Sequence, residues 1–215
     1  MAQSASAFGS DWYWSAAAGA NFVQPMTLNS ASYPFNNFPR TLNFGTGLAA
    51  TASLGHHFGT YFRAEGELSF RTNSLNGVTV QGEGSQPFNS GSVSAFGVMA
   101  NGWFDIPLGG MVTPYLGGGI GTAMVNLKAV TISAAPCVGC DPINVDSSQW
   151  AFAYQLGAGV AVDLGGGTKM TFDYRYFATN SFTVPLNAGG AMGTTSYTAQ
   201  SALVGLRFPI SGMGN

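Results

Sequence analysis

Few residues in this chain are suited to chemistry. Cys137 and Cys140 form a Cys-x-x-Cys, and His56 and His57 are its two histidines. The stretch "YFRAEGELSF" (61–70) carries Arg63, Glu65 and Glu67 at alternate positions. A Cys-x-x-Cys exchanges thiols when a βαβ unit presents it, and no helical pattern surrounds this one. Two cysteines without a further Cys or His beside them make a poor zinc site. Covalent haem needs a His directly after the second Cys, and Asp141 stands there. The histidines fall in "GHHFG", which reads as a short turn, so a solvated pair is favoured over a metal or lipid-phosphate ligand. No Ser/His/acid constellation accompanies the many Ser and Thr residues. The expectation is therefore no enzyme, no catalytic residues, no metal and no cofactor.

The alternating charges need an element to hold them. Charged residues make up only 7% of the 215, against roughly 25% in soluble domains. Mean hydropathy is only +0.17, because Gly, Ser, Thr and Asn dilute the apolar residues. No run approaches the roughly 18–20 apolar residues of a membrane-spanning helix. A net charge of -2 and a pI near 5.5 give no reason to expect a nucleic-acid partner. The opening "MAQSASAFGSDW" shows neither a basic n-region nor an apolar h-region. A mature exported chain has this look, and so does a cytosolic one.

Period-two alternation recurs in eight stretches, about 12–23, 41–54, 60–72, 93–106, 112–126, 149–164, 169–179 and 197–208. One face of each is apolar, and the other is small or polar, the mark of strands with two unlike faces. Phe62, Leu68 and Phe70 oppose Arg63, Glu65 and Glu67. In the second stretch Leu42, Phe44, Leu48, Ala50, Ala52 and Leu54 share a face. Trp150, Phe152, Leu156 and Val160 oppose Gln149, Gln155 and Gly157. Phe172 opposes Asp173 and Arg175, and Phe208 opposes Arg207. Short Gly-rich turns ("GHHFG", "PLGGM", "GGGT") alternate with long connections at about 24–40, 73–91, 127–148 and 180–196. That rhythm predicts one eight-stranded antiparallel up-and-down barrel spanning the chain.

A soluble barrel buries its apolar face and wets its polar one; a membrane barrel does the reverse. Eight strands enclose just enough room for ordinary side chains, too little for all these large aromatics. The small, polar face therefore goes inside. Phe62, Leu68, Trp150, Phe152, Leu156, Val160, Phe172 and Phe208 are expected to face lipid. Charges buried in the lumen must pair. Counting heights from the short turns predicts that Arg175 meets Glu65 or Glu67, with Arg63 and Asp173 as further members. Such a set acts as a static plug, an ion-selecting filter or a proton path.

"GWFDIPLGGMVTPYLGGGIG" (102–121) resembles the strand–turn–strand of small outer-membrane β-barrels of the opacity-protein type. The terminal "ALVGLRF" is similar to the aromatic-ended closing strand of that family, although "PISGMGN" follows Phe208 here. The resemblance implies a Gram-negative outer membrane, short turns in the periplasm and four long extracellular loops. In an oxidising exterior loop, Cys137 and Cys140 are expected to form a small disulfide. Family roles range over adhesion, envelope structure and narrow channels, so fold does not settle function. The expectation is a structural or partner-binding platform, with outer-membrane lipid and a protein at the loops or barrel wall as partners. The rival is a narrow channel for a small, hydrophobic solute with a lateral exit. A lipid-acting enzyme is a distant third.

Overall fold

The computed structural model describes residues 11–30, 40–80, 84–87, 91–132, 143–185 and 192–210. Their strands are, in order, β1 (Trp12–Val23), β2 (Met26–Ser30), β3 (Arg40–Phe44), β4 (Thr46–Phe58), β5 (Phe62–Val80), β6 (Gly84–Pro87), β7 (Ser92–Asp105), β8 (Val112–Ile132), β9 (Ile143–Gly165), β10 (Thr168–Thr179), β11 (Phe182–Pro185), β12 (Met192–Thr195) and β13 (Thr198–Pro209). Eight of them close a ring of antiparallel pairs, β1-β4-β5-β7-β8-β9-β10-β13. The ring shuts where β13 pairs β1, with Ala16 opposite Leu206 and Gly19 opposite Leu203. Closure leaves no barrel strand with an unpaired edge, the condition for crossing hydrocarbon with strands.

The short turns follow from glycine. Gly59 and Gly109 take φ of 74° and 75°, and Gly165, Gly166 and Gly167 take 90°, 61° and 78°. Side chains rarely adopt these values, and glycine does so without a Cβ clash. β4 runs on to Phe58, so the first turn is Gly59–Tyr61 and not "GHHFG". His56 and His57 consequently lie on a paired strand, half-buried, His56 between the rings of Trp12 and Phe58. The pattern had mistaken a Gly before two polar residues for a turn signal.

The long connections are also more ordered than the sequence suggested. A transmembrane strand needs about 9–11 residues. β5, β8 and β9 have 19, 21 and 23, so they run past the span. Above the rim β3 pairs the upper part of β5, β2 pairs β3, β12 pairs β2, β11 pairs β12, and β6 pairs β5. Four predicted loops thus contain strands that lengthen the wall.

The second predicted stretch divides at Gly45. Leu48, Ala50 and Leu54 face outward, but Leu42 is buried and Phe44 packs on an interior cluster. The Asn73 amide covers this break, donating to Gly45 O at 2.8 Å and Asn21 O at 2.9 Å. Backbone groups freed by the irregularity therefore keep a partner.

Candidate functional site: the barrel interior

The outer wall is apolar in alternate register. Phe62, Leu68, Trp150, Phe152, Leu156 and Phe172 are exposed. Val160 and Phe208 are half-buried, Phe208 stacking on Trp14 with centroids 4.6 Å apart. Exposed aromatics also mark both ends of the wall: Phe58, Tyr61 and Phe62 by the first turn, Trp150 and Phe152 towards the long loops. Rings with polar edges favour such interfaces.

The neighbours of these residues point inward and carry the charge. Arg63, Glu65, Glu67, Arg71, Asp105, Asp173, Arg175 and Arg207 are all buried, in a chain with 7 Lys+Arg and 9 Asp+Glu. Arg63 Nε donates to both oxygens of Asp105, at 2.8 and 2.9 Å, and its Nη1 to Glu65 Oε1 at 2.6 Å. Arg175 reaches from β10 across to β5, on the opposite side of the ring, where Nη1 meets Glu67 Oε2 at 3.1 Å. Its Nη2 lies 3.2 Å from Asp173 Oδ1.

Uncharged groups complete the set. Tyr13 Oη donates to Glu65 Oε1 at 2.6 Å, and Trp103 Nε1 to Glu65 Oε2 at 2.9 Å. Gln155 Nε2 donates to Glu67 Oε1 and Asn101 Oδ1, and Tyr115 Oη to Asp173 Oδ1 at 2.7 Å. The arginines lie against rings: Arg175 4.3 Å from the Trp103 centroid, Arg63 4.6 Å from that of Tyr115. Room for the Trp103 indole comes from two glycines paired across β8 and β9. A Cβ at Gly117 would sit 2.6 Å from Trp103, and one at Gly157 2.9 Å from it.

The sequence reading missed much of this. Asp105, which pairs with Arg63, was not among the expected members of the charge set. Tyr13 and Trp103 were not among the expected lumen residues. Their signal was present, since both occupy inward register positions, and Gly117 and Gly157 are what make room for the Trp103 indole.

The interior also has a second storey. Towards the long loops the inward face turns apolar: Val93, Ala95, Met99, Ala123, Val125, Leu127, Phe177 and Ala199 form one buried cluster. That corrects the expectation of a lumen lined only by small and polar groups. There the inward Val93, Ala95, Val125 and Leu127 alternate with outward Ser92, Ser94, Asn126 and Lys128, so the alternation continues with its sides reversed. Cys137 and Cys140 lie outside the described residues.

The family model for the outer membrane protein beta-barrel domain matches residues 1–208. An uncharacterised protein of Brucella abortus (strain 2308) is 29% identical over 195 residues, covering 79% of this chain and 68% of that protein. Neisserial surface protein A is similar with a TM-score of 0.55 at 15% identity, over 94% of this chain and 99% of its own. The outer membrane protease OmpT of Escherichia coli is similar with a TM-score of 0.52 at 8% identity, over 94% and 98%. At these identities the likeness is one of fold alone.

Proposed function

The chain belongs to the outer membrane protein beta-barrel domain family and sits in the outer membrane of a Gram-negative bacterium, and from that premise we propose that it is a non-enzymatic platform. The lumen is closed, and the long-loop end meets a partner. One observation carries this reading: the Arg175–Glu67 contact spans the barrel, and three further arginine–carboxylate pairs lie in the same charged storey. Paired charges across an interior just wide enough for side chains leave little room for an ion to pass the lower storey. Work is then left to the outside. Strands β2, β3, β11 and β12 raise a stiffened rim, where a hollow of about 290 Å³ is lined by Gln24, Thr27, Ser181, Thr194 and Thr198 among others. Its amides and hydroxyls suit hydrogen bonding to a protein loop or surface sugar.

Planar-bilayer recording tests the reading. Purified protein is expected to insert without reproducible ion conductance at either polarity. Steady conductance from the unmodified barrel would overturn the closed-platform reading.

A second reading has its own support. The apolar upper storey suits a small hydrophobic solute that leaves sideways through the wall without crossing the charged storey. Flux of such a solute into liposomes, without ion conductance, would favour it over the platform.

A further inference from the structure

Among the described residues four buried arginines occupy the interior, and they are not equally partnered. Arg63 and Arg175 each meet two carboxylates. Arg207 lies against the rings of Tyr13 and Tyr115 and belongs to the lower, charged storey. Arg71 is one storey higher and fully buried. It makes no ion pair among the described residues. Its Nη1 donates to Ser69 Oγ at 2.9 Å, and the Phe177 ring lies 4.0 Å from its guanidinium carbon. Its Nε and Nη2 have no acceptor.

Those two atoms are not an arbitrary pair. Nε–H and Nη2–H lie on one edge of the planar guanidinium and point the same way, the fork that takes a carboxylate with two parallel bonds. Nη1 is held by Ser69 and one face by the Phe177 ring, so Arg71 is fixed with that buried edge unpartnered. Gly97, opposite Ser69 on β7, helps: a Cβ there would come within 2.7 Å of Ser69 Oγ, the atom that fixes Nη1. Burying a charge without a counterion is costly; Arg207 shares that cost in the charged storey, whereas Arg71 bears it beside the apolar cluster. Ala95 is Arg71's register partner, and Val93, Met99, Ala123 and Val125 belong to the same cluster.

We propose that the Arg71 fork binds the carboxylate of a small amphiphilic acid whose hydrocarbon part lies in the apolar storey. The two halves of the site select together. A hydrated inorganic ion would satisfy the fork but gain nothing from the aliphatic surroundings. A neutral hydrocarbon would leave the fork unmet. This site goes beyond the platform reading and does not depend on it, because a barrel closed at its lower storey holds a ligand without passing it.

The test uses the full chain in lipid nanodiscs, with octanoate, acetate, chloride and methyl octanoate as probes. Octanoate is expected to bind saturably at one site per chain and to shift the Arg71 Nε–H resonance. Methyl octanoate should bind at least about tenfold more weakly, and Arg71→Gln should weaken octanoate by about 100-fold, the scale of losing a buried charge-paired partner. Arg71→Lys keeps the charge without the fork and should also lose most of the affinity, which keeps the test decisive if the Gln variant folds poorly. The proposal is overturned if octanoate does not saturate, if acetate or chloride binds as tightly as octanoate, or if a folded Arg71 variant binds octanoate like the parent. Conductance is measured separately, so failure here and failure of the platform reading are told apart.

Discussion

Arg175→Ala is expected to destabilise the folded barrel by about 3–5 kcal/mol, the usual cost of leaving buried charge without its partner. The side chain is the sole link at ion-pair distance between Glu67 and Asp173 among the described residues. Removing it leaves Glu67 with neutral donors from Asn101 and Gln155, and Asp173 with the Tyr115 hydroxyl. Neutral hydrogen bonds soften a buried carboxylate but do not cancel its charge. Arg175→Lys should recover part of the loss, since a point charge replaces a fork. The double variant Arg175→Leu/Glu67→Leu should be less destabilised than the sum of its single changes, because neither charge is then left behind. Urea unfolding from lipid vesicles reads all of these. A loss below about 1 kcal/mol for Arg175→Ala would mean that water already reaches the carboxylates, since exposed pairs contribute no more than that.

Leu156→Arg carries the second large effect. Leu156 is 61% exposed on the outer wall of β9, opposite Gly118 on one side and Tyr176 on the other. Arg on the lipid face near the bilayer midplane costs about 2–4 kcal/mol, so folding yield into vesicles should fall accordingly. One residue earlier, Gln155 points inward and bonds Glu67 and Asn101. Gln155→Leu should also destabilise, but through the interior, with no dependence on bilayer thickness. Leu156→Arg should be tolerated better in thin bilayers, where the guanidinium reaches water sooner. Equal folding of Leu156→Arg and its parent in thick and thin bilayers would contradict the lipid-facing placement.

The fold was legible wherever one face differed from the other. In "YFRAEGELSF" the alternation of Phe62, Leu68 and Phe70 with Arg63, Glu65 and Glu67 sets strand, register and orientation together, because a one-residue slip would put every charge in lipid. The signal failed in three physical situations. At Gly45 a break between β3 and β4 let Leu42 turn inward while Leu48 stayed outside. Towards the long loops the alternation reverses, with Val93, Val125 and Leu127 inside and Ser92, Ser94, Asn126 and Lys128 outside, so a rule that sends the apolar face outward assigns the wrong side. Beyond the rim, pairings such as Arg40 with Val80 or Gly193 with Ser30 depend on strand contacts that no local pattern encodes.

The candidate site was legible as charges but not as a packed object. Counting heights from the turns brought Arg175 towards Glu65 or Glu67, because register is regular once the turns are known. It could not see that Glu65 would be taken by Arg63, Tyr13 and Trp103, leaving Glu67 for Arg175. That choice rests on Gly117 and Gly157, whose missing side chains admit the indole. Long-range size complementarity of this kind is written across three strands and not within any one of them.

The central claim is that adjacent residues of each strand are sorted between lipid and a closed interior. Intermolecular nuclear Overhauser effects test it most directly, measured on methyl-labelled protein in detergent micelles, from the acyl chains and from water. Strong acyl-chain effects are expected at Leu68, Leu156, Val204 and Leu206. Neither acyl-chain nor water effects should appear at Leu203 or Val125, which face inward on the same wall. Acyl-chain contact at Leu203 and Val125, or water contact at Leu156, would contradict the account.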